Sequence, residues 1–360
     1  MTELDALMST ADVVVCCGSG GVGKTTTAAA LGLQAVAIGR RCVVVTIDPA
    51  KRLADALGVP GGLTNDPIQL GVDGPGELWA LMLDTATTFD GLVRANAASP
   101  AQATRILTNG FYRNIAGSLG GTQEYMAAER LLALHRDARF DLVIVDTPPT
   151  RNALDFLDAP RTLARFLDHP VFKLMMMPTR RGLRVLSVAA QPLLRSIGKV
   201  IGSEVLADAL AFFQAFDGME TGFRDRADEV IELLHGEKTR FVLVASARVD
   251  TIDEARFFAD RLVEKDLAVG AIVVNRATPD FGKPVGRRPR RIADAALYDN
   301  QAQLHELSIG EHAQVAPLVA ETGRQPTWVP LLPGDVHDLD ALDTIRTLLF
   351  TGSTPARASR

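Results

Sequence analysis

The hydrophobic residues of this chain fall into short continuous runs, and most of these runs are separated by longer segments with helical spacing. Runs of this length without alternating polar residues are typical of parallel strands covered on both faces. The predicted strands span residues 13–17, 42–47, 78–83, 142–146, 241–246, 271–275 and 327–331. Strands that alternate with helices predict an α/β fold built on a doubly wound, mostly parallel sheet.

Helical periodicity accounts for much of the chain between these strands. Thr251 and Glu254 are spaced as a capping box, which predicts that a helix starts there. Pro317 predicts a break in the helical pattern around it, because proline lacks the backbone N–H that an interior turn requires. The other predicted helices span 24–38, several segments within 85–136, one or two within 292–321, and 339–349.

One long segment interrupts the alternation of strand and helix. Residues 157–235 contain no convincing strand pattern, so we interpret them as a helical insertion. The predicted domains are an α/β core over 12–156 and 236–352, a helical subdomain over 85–138 and 157–235, and a disordered tail over 353–360.

Residues 18–25 read Gly-Ser-Gly-Gly-Val-Gly-Lys-Thr and lie between the first strand and the first long helix. They match the phosphate-binding loop G-x-x-x-x-G-K-[ST] in the setting that it requires. Glycines let the backbone aim its amide hydrogens inward, and Lys24 adds a full positive charge. The hydroxyl of Thr25 can bind Mg²⁺. The predicted nucleotide-binding residues are Gly20, Gly21, Val22, Gly23, Lys24, Thr25 and Thr26.

Two aspartates follow predicted strands and complete a candidate hydrolytic site. Asp48 comes after the strand at 42–47, and Asp146 ends the strand at 142–146. Because parallel strands bind ligands at their carboxyl ends, we expect both near the loop. We assign Asp146 to Mg²⁺ through a bound water. We assign catalysis to Asp48 and Lys24, with Asp48 as the residue that orients or deprotonates the attacking water. Alternatively, either aspartate caps the helix that follows it.

Composition narrows the function classes. The hydrophobic fraction of 47% is ample for a core, and the net charge of −5 argues against general nucleic-acid binding. The three cysteines lie in apolar runs, and the six histidines lack the close spacing of a zinc site. The acidic N-terminus lacks the pattern of a secretory signal, and no apolar run of about eighteen residues predicts a membrane span. We therefore expect a cytoplasmic protein without an integral membrane segment.

Residues 18–26, 48–50 and 146–150 resemble the phosphate loop and the two switch segments of the arsenite-pump and tail-anchored-protein-targeting ATPases, a group with a deviant Walker A loop. Residues 274–276 and 329–331 are also similar to late segments of that family, so the resemblance covers most of the chain. It implies a P-loop ATPase that binds ATP and Mg²⁺, works as a nucleotide-driven dimeric switch and handles a hydrophobic protein client.

The resemblance also implies which residues contact the adenine base. They are Asn275 and the backbone around Pro330, Leu331 and Leu332. The alternative interpretation of these residues is a strand end and a proline turn without a ligand.

Three departures from the family qualify these expectations. The family usually has a lysine directly after the first loop glycine, where this chain has Ser19. A paralogue that carries this signature lysine could supply it in a heterodimer, Lys51 or Arg52 could substitute for it, or the chain could be a slow or weakly dimerising ATPase.

The second departure is that the family's metal-binding cysteine sets are absent, and the corresponding segment instead carries an arginine-rich run at 286–291. This run is either a solvated loop or a contact for an anionic partner.

The third departure concerns the client. Residues 172–177 are rich in methionine, which suits a surface that repacks around different apolar partners. Apolar residues at helical spacing, such as Leu206, Leu210 and Phe213, are equally typical of an ordinary core.

Two other function classes remain open. Ala247-Arg248-Val249-Asp250 weakly resembles the guanine-reading motif [NT]-K-x-D, which would indicate a GTPase. A partition-type ATPase on DNA or a regulator at a membrane surface is the other alternative, disfavoured by the acidic balance and by the absence of a basic amphipathic helix at the end of the chain.

Overall fold

The structure is a computed structural model that describes residues 2–48, 50, 52–115, 122–148, 155–168, 203–216 and 218–351. The chain divides into two compact units. Unit 1 comprises Met1–Met82, Leu134–Leu154 and His235–Arg360, and unit 2 comprises Leu83–Ala133 and Asp155–Leu234. The predicted tail at 353–360 lies outside the described residues.

The elements follow one another in two series along the chain. The first series is α1 (Glu3–Thr10), β1 (Val13–Cys17), α2 (Lys24–Ala37), β2 (Arg41–Thr46), α3 (Arg52–Ala56), β3 (Ile68–Leu70), β4 (Glu77–Met82), α4 (Thr85–Asn96), α5 (Pro100–Leu107), α6 (Gly110–Ile115) and α7 (Thr122–His135). The second series is β5 (Leu142–Asp146), α8 (Asp155–Asp168), α9 (Ser203–Ala215), α10 (Glu220–His235), β6 (Thr239–Ser246), α11 (Val249–Val263), β7 (Val269–Ala277), α12 (Ile292–Thr322), β8 (Pro326–Pro330) and α13 (Leu339–Thr351).

Unit 1 is built on an eight-stranded sheet with the strand order β3-β4-β2-β5-β1-β6-β7-β8. Every neighbouring pair is parallel except β3 and β4, which pair antiparallel at one edge. The central strands β1 and β5 are buried along their whole length, as their continuous apolar sequences predict. The predicted α/β fold with a mostly parallel sheet is confirmed.

Unit 2 is helical in its described part and has an aromatic core. Phe212, Phe216 and Phe223 are buried together with residues of α4 and α5. Phe213 belongs to the same cluster, so at this residue the core interpretation is correct. The methionine-rich segment at 172–177 lies outside the described residues.

Two local predictions were wrong. The helix α12 continues through Pro317 to Thr322, because Val315 and Leu318 on either side of the proline are buried and anchor both turns. The helix α11 begins at Val249, so the predicted capping box does not form its start. Instead, the hydroxyl of Thr251 donates to the carbonyl of Ser246 at 2.7 Å and ties the first turn back to the end of β6.

The sequence analysis also missed the five-residue helix α3 and two further elements of unit 1. The first is α1, in which Thr2 and Asp5 form a capping box and Leu4, Leu7 and Met8 are buried. The spacing of Thr2 and Asp5 was the signal that could have revealed it. The second is the edge strand β3, whose three residues are too few for a recognisable period.

Candidate active site

The carboxyl ends of three neighbouring strands form the site in unit 1. The strand β5 lies between β1 and β2, and Asp146 is in register with Cys16 on one side and Thr46 on the other. The loop after β1 contains the glycine-rich residues, and Asp48 follows β2. The sheet order therefore brings the loop, Asp48 and Asp146 to one edge.

Two glycines in the loop allow this close arrangement. Gly18 has a φ of 151°, and a Cβ added there would lie 2.0 Å from the carbonyl oxygen of Val244. Gly23 has a φ of 97°, and its added Cβ would lie 2.1 Å from Nδ2 of Asn275. Any larger residue would displace a backbone or an amide that holds the loop, and both backbones are in a region that other residues rarely adopt.

Lys24 begins α2 and is almost fully buried. Its Nζ donates to the carbonyl oxygen of Ser19 at 2.8 Å. Burial lowers the pKa of the Lys24 ammonium below its ordinary value, and the negative charge of Asp146 opposes that shift. A buried cation at a helix N-terminus is the arrangement that binds phosphate groups.

Asp146 is the most deeply buried carboxylate of the site, with only 1% of its surface exposed. Its Oδ2 accepts hydrogen bonds from the hydroxyls of Thr25 at 2.8 Å and Thr46 at 3.0 Å. Burial raises the pKa of Asp146 to about 6, although these two hydrogen bonds and the charge of Lys24 act to lower it. The side chain therefore carries a charge whose desolvation its neighbours only partly offset.

These residues fit a bound Mg²⁺. Oδ1 of Asp146 is buried and has no hydrogen-bond partner among the described residues, so it offers an acceptor to a water held by a metal. Because Thr25 donates its proton to Oδ2 of Asp146, the lone pairs of its oxygen are left for a cation. A hydroxyl and a carboxylate reached through water are ligands that Mg²⁺ accepts.

Asp48 is buried and has two partners from its own segment. Its Oδ1 accepts the N–H of Ala50 at 3.0 Å, and its Oδ2 accepts Arg52 Nη1 at 3.1 Å. The Arg52 side chain is 56% exposed, so the ion pair lies at the surface of the site. Of the two residues considered as substitutes for the family's lysine, Arg52 is thus bound to Asp48, and Lys51 lies outside the described residues.

A cleft of about 700 Å³ opens over the loop, Asp48 and the start of α2. It is lined by Gly20, Gly21, Gly23, Lys24, Thr25, Thr26, Asp48, Arg52, Asp55, Ala56, Thr147, Arg276 and Val336. The sequence analysis placed Thr147 and Arg276 within the family segments 146–150 and 274–276 without giving either residue a role of its own, and it gave no role to Asp55, Ala56 or Val336. For Thr147, the signal was its place directly after Asp146; its hydroxyl donates to the carbonyl of Cys16 at 2.7 Å and joins β5 to β1.

The predicted base-contacting residues lie at or just after the ends of β7 and β8. The side chain of Asn275 is buried and donates to the carbonyl of Val22 at 2.9 Å, so it supports the loop. Pro330 ends β8, and the N–H of Leu331 donates to the carbonyl of Ala277. Among the residues that the structure describes, neither these three nor Leu332 belongs to the wall of the cleft. Their contacts with a base stay a prediction.

Asp250 of the weak guanine-reading motif lies at the start of α11, where Arg248 donates to its carboxylate. Both residues line a separate depression between α11 and α12. Within the described residues, no helix is both long enough and apolar enough to cross a membrane.

A phosphate-binding loop between β1 and α2, next to a carboxylate at the end of the adjacent parallel strand, defines a P-loop nucleoside triphosphatase. A family model described as anion-transporting ATPase, of the ArsA type, matches residues 11–296. The chain therefore belongs to this ATPase family, and it is an enzyme that hydrolyses ATP. The resemblance to the arsenite-pump and tail-anchored-protein-targeting ATPases is confirmed at the level of the family.

Similar proteins include several that are named ATPase GET3. The one from Schizosaccharomyces japonicus is 26% identical over 337 residues, which cover 92% of this chain and 90% of that protein. The one from Schizosaccharomyces pombe is 25% identical over 334 residues, with 92% and 89% covered. The one from Rhodotorula glutinis is 26% identical over 260 residues, with 72% and 68% covered. The similarity thus extends over most of the chain.

Proposed function

We propose that this ATPase is Mg²⁺-dependent and acts as a nucleotide-driven dimeric switch, with ATP bound in the cleft over the loop at residues 18–25. The observation that carries the proposal is the group formed by the buried Lys24 and Asp146 and the half-buried Thr25. Lys24 and the N-terminus of α2 supply positive charge, while Thr25 and Asp146 offer oxygen ligands. Positioned charge of both signs is what phosphoryl transfer requires of a protein.

In this proposal each residue has a defined task. The backbone N–H groups of the loop and Lys24 bind the phosphates, and Thr25 and Asp146 hold Mg²⁺, directly and through water. When bound, Mg²⁺ neutralises charge that develops on the phosphate oxygens. Asp48 orients or deprotonates the attacking water, and the hydrogen bond from Ala50 and the ion pair with Arg52 fix its carboxylate.

The proposed base contacts involve the segments after β7 and β8. Leu331 is 57% exposed while its backbone is held by Ala277, so its side chain is free to cover an adenine ring. Asn275 would act through the loop that it supports, and the neighbouring backbone of Pro330 and Leu332 would complete the pocket. The choice of ATP over GTP as the nucleotide rests on membership of the family and not on these contacts.

The test of the site is Lys24→Ala, with Lys238→Ala as the control. We expect Lys24→Ala to weaken ATP binding by about 100-fold or more, since a buried charge-assisted contact to phosphate is lost. Lys238 is exposed and forms a surface ion pair with Asp12, so its replacement should leave binding unchanged. ATP turnover by Lys24→Ala at the level of the unaltered protein would contradict the proposed site.

Dimerisation is supported by apolar side chains that unit 1 leaves exposed around the start of α12. Phe281, Val285, Ile292 and Leu297 are each at least 66% exposed. Exposed apolar residues concentrated in one segment are typical of an interaction site. The partner is a second copy of the chain or a paralogue that carries the lysine absent at Ser19.

The molecular mass in solution distinguishes the two partners. We expect a dimer when a non-hydrolysable ATP analogue and Mg²⁺ are added, and a Val285→Asp, Ile292→Asp double variant should stay monomeric. A chain that remains monomeric in every nucleotide state would contradict a homodimer, and adding the paralogue would then test the heterodimer.

We also propose a cytoplasmic location and a hydrophobic protein client for the helical subdomain at 85–138 and 157–235, which includes the methionine-rich segment. The support is the sequence of that segment and the family resemblance. Proteins that co-purify with an Asp48→Asn variant, which should hold ATP without hydrolysing it, would identify the client. Recovery of nothing but a paralogue would contradict the client.

A further inference from the structure

Arg276 has an unusual backbone conformation at the end of β7. Its φ is 58°, in the left-handed region, and Asp266 is the other non-glycine residue with a positive φ in the described part of the chain. The register between β7 and β8 shifts between Asn275 and Ala277, so Arg276 is the extra residue at this point. A strained, bulged residue at the ligand-binding end of a strand is typical of a functional position, because bulges re-aim side chains.

Hydrogen bonds on both sides hold this conformation. The N–H of Arg276 donates to Oδ1 of Asn275 at 3.0 Å, and Nδ2 of the same asparagine donates to the carbonyl of Val22 at 2.9 Å. The carbonyl of Ala277 accepts the N–H of Leu331 at 2.8 Å. The backbone of Arg276 is thereby fixed against the phosphate-binding loop.

The side chain of Arg276 extends across that loop. Its Nη1 donates to the carbonyl oxygen of Gly21 at 3.1 Å, and the residue forms part of the cleft wall. One contact to a carbonyl uses one of the five N–H groups of a guanidinium, which leaves the others for a ligand. Within the described residues no carboxylate pairs with Arg276, whereas Arg52 in the same wall pairs with Asp48.

We propose that Arg276 is a second phosphate-binding cation of the site, and that its guanidinium donates to the polyphosphate of the nucleotide held by Lys24. The proposal rests on the proposed placement of ATP in this cleft. Guanidinium groups suit phosphate oxygens because they donate in a planar fork. The charge comes from the same chain as the loop, so it acts before any partner subunit is bound.

The experiment compares Arg276→Gln, Arg276→Lys and Arg276→Gly with Arg261→Gln, whose arginine is an exposed residue of α11 paired with Glu264. ATP affinity is measured by calorimetry with Mg²⁺ at low and high salt. Losing one charge-assisted hydrogen bond predicts about tenfold weaker binding in the glutamine and glycine variants. The lysine variant keeps the charge without the planar fork and should recover part of the loss, and Arg261→Gln should bind as the unaltered protein does.

Two further readouts separate a ligand contact from support of the loop. Added salt should weaken ATP binding less in Arg276→Gln than in the unaltered protein, because one of the screened charges is gone. Arg276→Gly should not lower the unfolding temperature without nucleotide, because glycine adopts a positive φ without strain. Unchanged ATP affinity in Arg276→Gly would overturn the proposal, as would a lysine variant as weak as the glutamine variant with an unaltered salt dependence.

Lys24→Ala distinguishes this inference from the proposed site itself. Loss of ATP binding in Lys24→Ala, together with full affinity in Arg276→Gly, would remove only the role of Arg276. Full affinity in Lys24→Ala would place the nucleotide elsewhere and overturn both.

Discussion

The carboxyl edge of the sheet in unit 1 buries charged side chains, whereas the described core of unit 2 buries mainly aromatic and aliphatic ones. Lys24, Asp48 and Asp146 are each at most 7% exposed at the sheet edge. In unit 2, the rings of Phe216 and Phe223 pack with centroids 4.9 Å apart. Burial of apolar surface stabilises a fold, and burial of charge costs free energy unless it is well paired. Burial of charge at the sheet edge therefore lowers stability where it forms a binding site, whereas burial of the aromatic side chains stabilises unit 2.

Phe223→Ala should give the largest change in stability, because this side chain is almost fully buried and contacts Phe89 as well as Phe216. The cavity should cost about 3–5 kcal/mol of the free energy of unfolding. Urea denaturation followed by circular dichroism measures this loss. The curve is fitted with two unfolding transitions, because the chain has two compact units.

Phe281→Ala is the matched control for that cavity, because Phe281 is 66% exposed in unit 1. Without nucleotide its replacement should change the free energy of unfolding by less than about 0.5 kcal/mol. Equal losses in both variants would contradict the aromatic core of unit 2. Lost ATP binding in a stably folded Phe223→Ala would contradict the separation of core and site.

The same contrast explains what could be predicted from the sequence. The loop at 18–25 and the aspartates after β2 and β5 are local patterns, and each states its chemistry within a few residues. Only the class of sheet could be inferred, and not the order of its strands, because neighbouring strands pair residues as distant in the sequence as Val13 and Val143.

Arg276 shows why part of the site was not predictable. Its position in the cleft wall depends on a register shift between β7 and β8 and on a positive φ, which an arginine in a sequence does not indicate. The error at Thr251 has a similar cause, since its hydroxyl found a carbonyl at the end of β6 instead of the N–H groups of its own helix. When several hydrogen-bond partners are within reach of a side chain, the neighbouring sequence does not determine which of them it bonds to.

Gly23→Ala should have an intermediate effect, and Gly61→Ala separates its two causes. Both glycines have a φ near 90°, so alanine should cost about 1–2 kcal/mol of stability at each for the left-handed backbone alone. A Cβ at Gly61 meets no atom within 4 Å, whereas one at Gly23 must displace the Asn275 amide. We expect a further loss of about 1 kcal/mol in Gly23→Ala, from the bond between Asn275 and Val22.

Chemical denaturation of the two glycine variants measures the difference, and calorimetry shows whether ATP affinity falls in Gly23→Ala alone. Suppose that Gly23→Ala and Gly61→Ala lose equal stability and bind ATP equally well. The loop would then not depend on its contact with Asn275. The sheet edge would then be less tightly built than its contacts indicate.

Asp146→Asn should give the smallest change in stability, with the opposite sign. The Asp146 carboxylate has one unpartnered buried oxygen, and its burial raises its pKa to about 6, above the ordinary value near 4. The folded protein therefore binds this proton more tightly than the unfolded chain does, and above pH 6 the charged form costs stability. Without Mg²⁺, the neutral amide should raise the free energy of unfolding by about 1 kcal/mol at pH 8, and this gain should shrink as the pH falls to 5.

Asp141→Asn, at the other end of the same strand, removes an exposed ion pair with Arg41 and should lower stability slightly at both pH values. If Asp146→Asn is less stable than the unaltered protein at pH 8 and yet hydrolyses ATP normally, Asp146 serves the fold, and the contrast between a costly site and a stabilising core fails at its central residue.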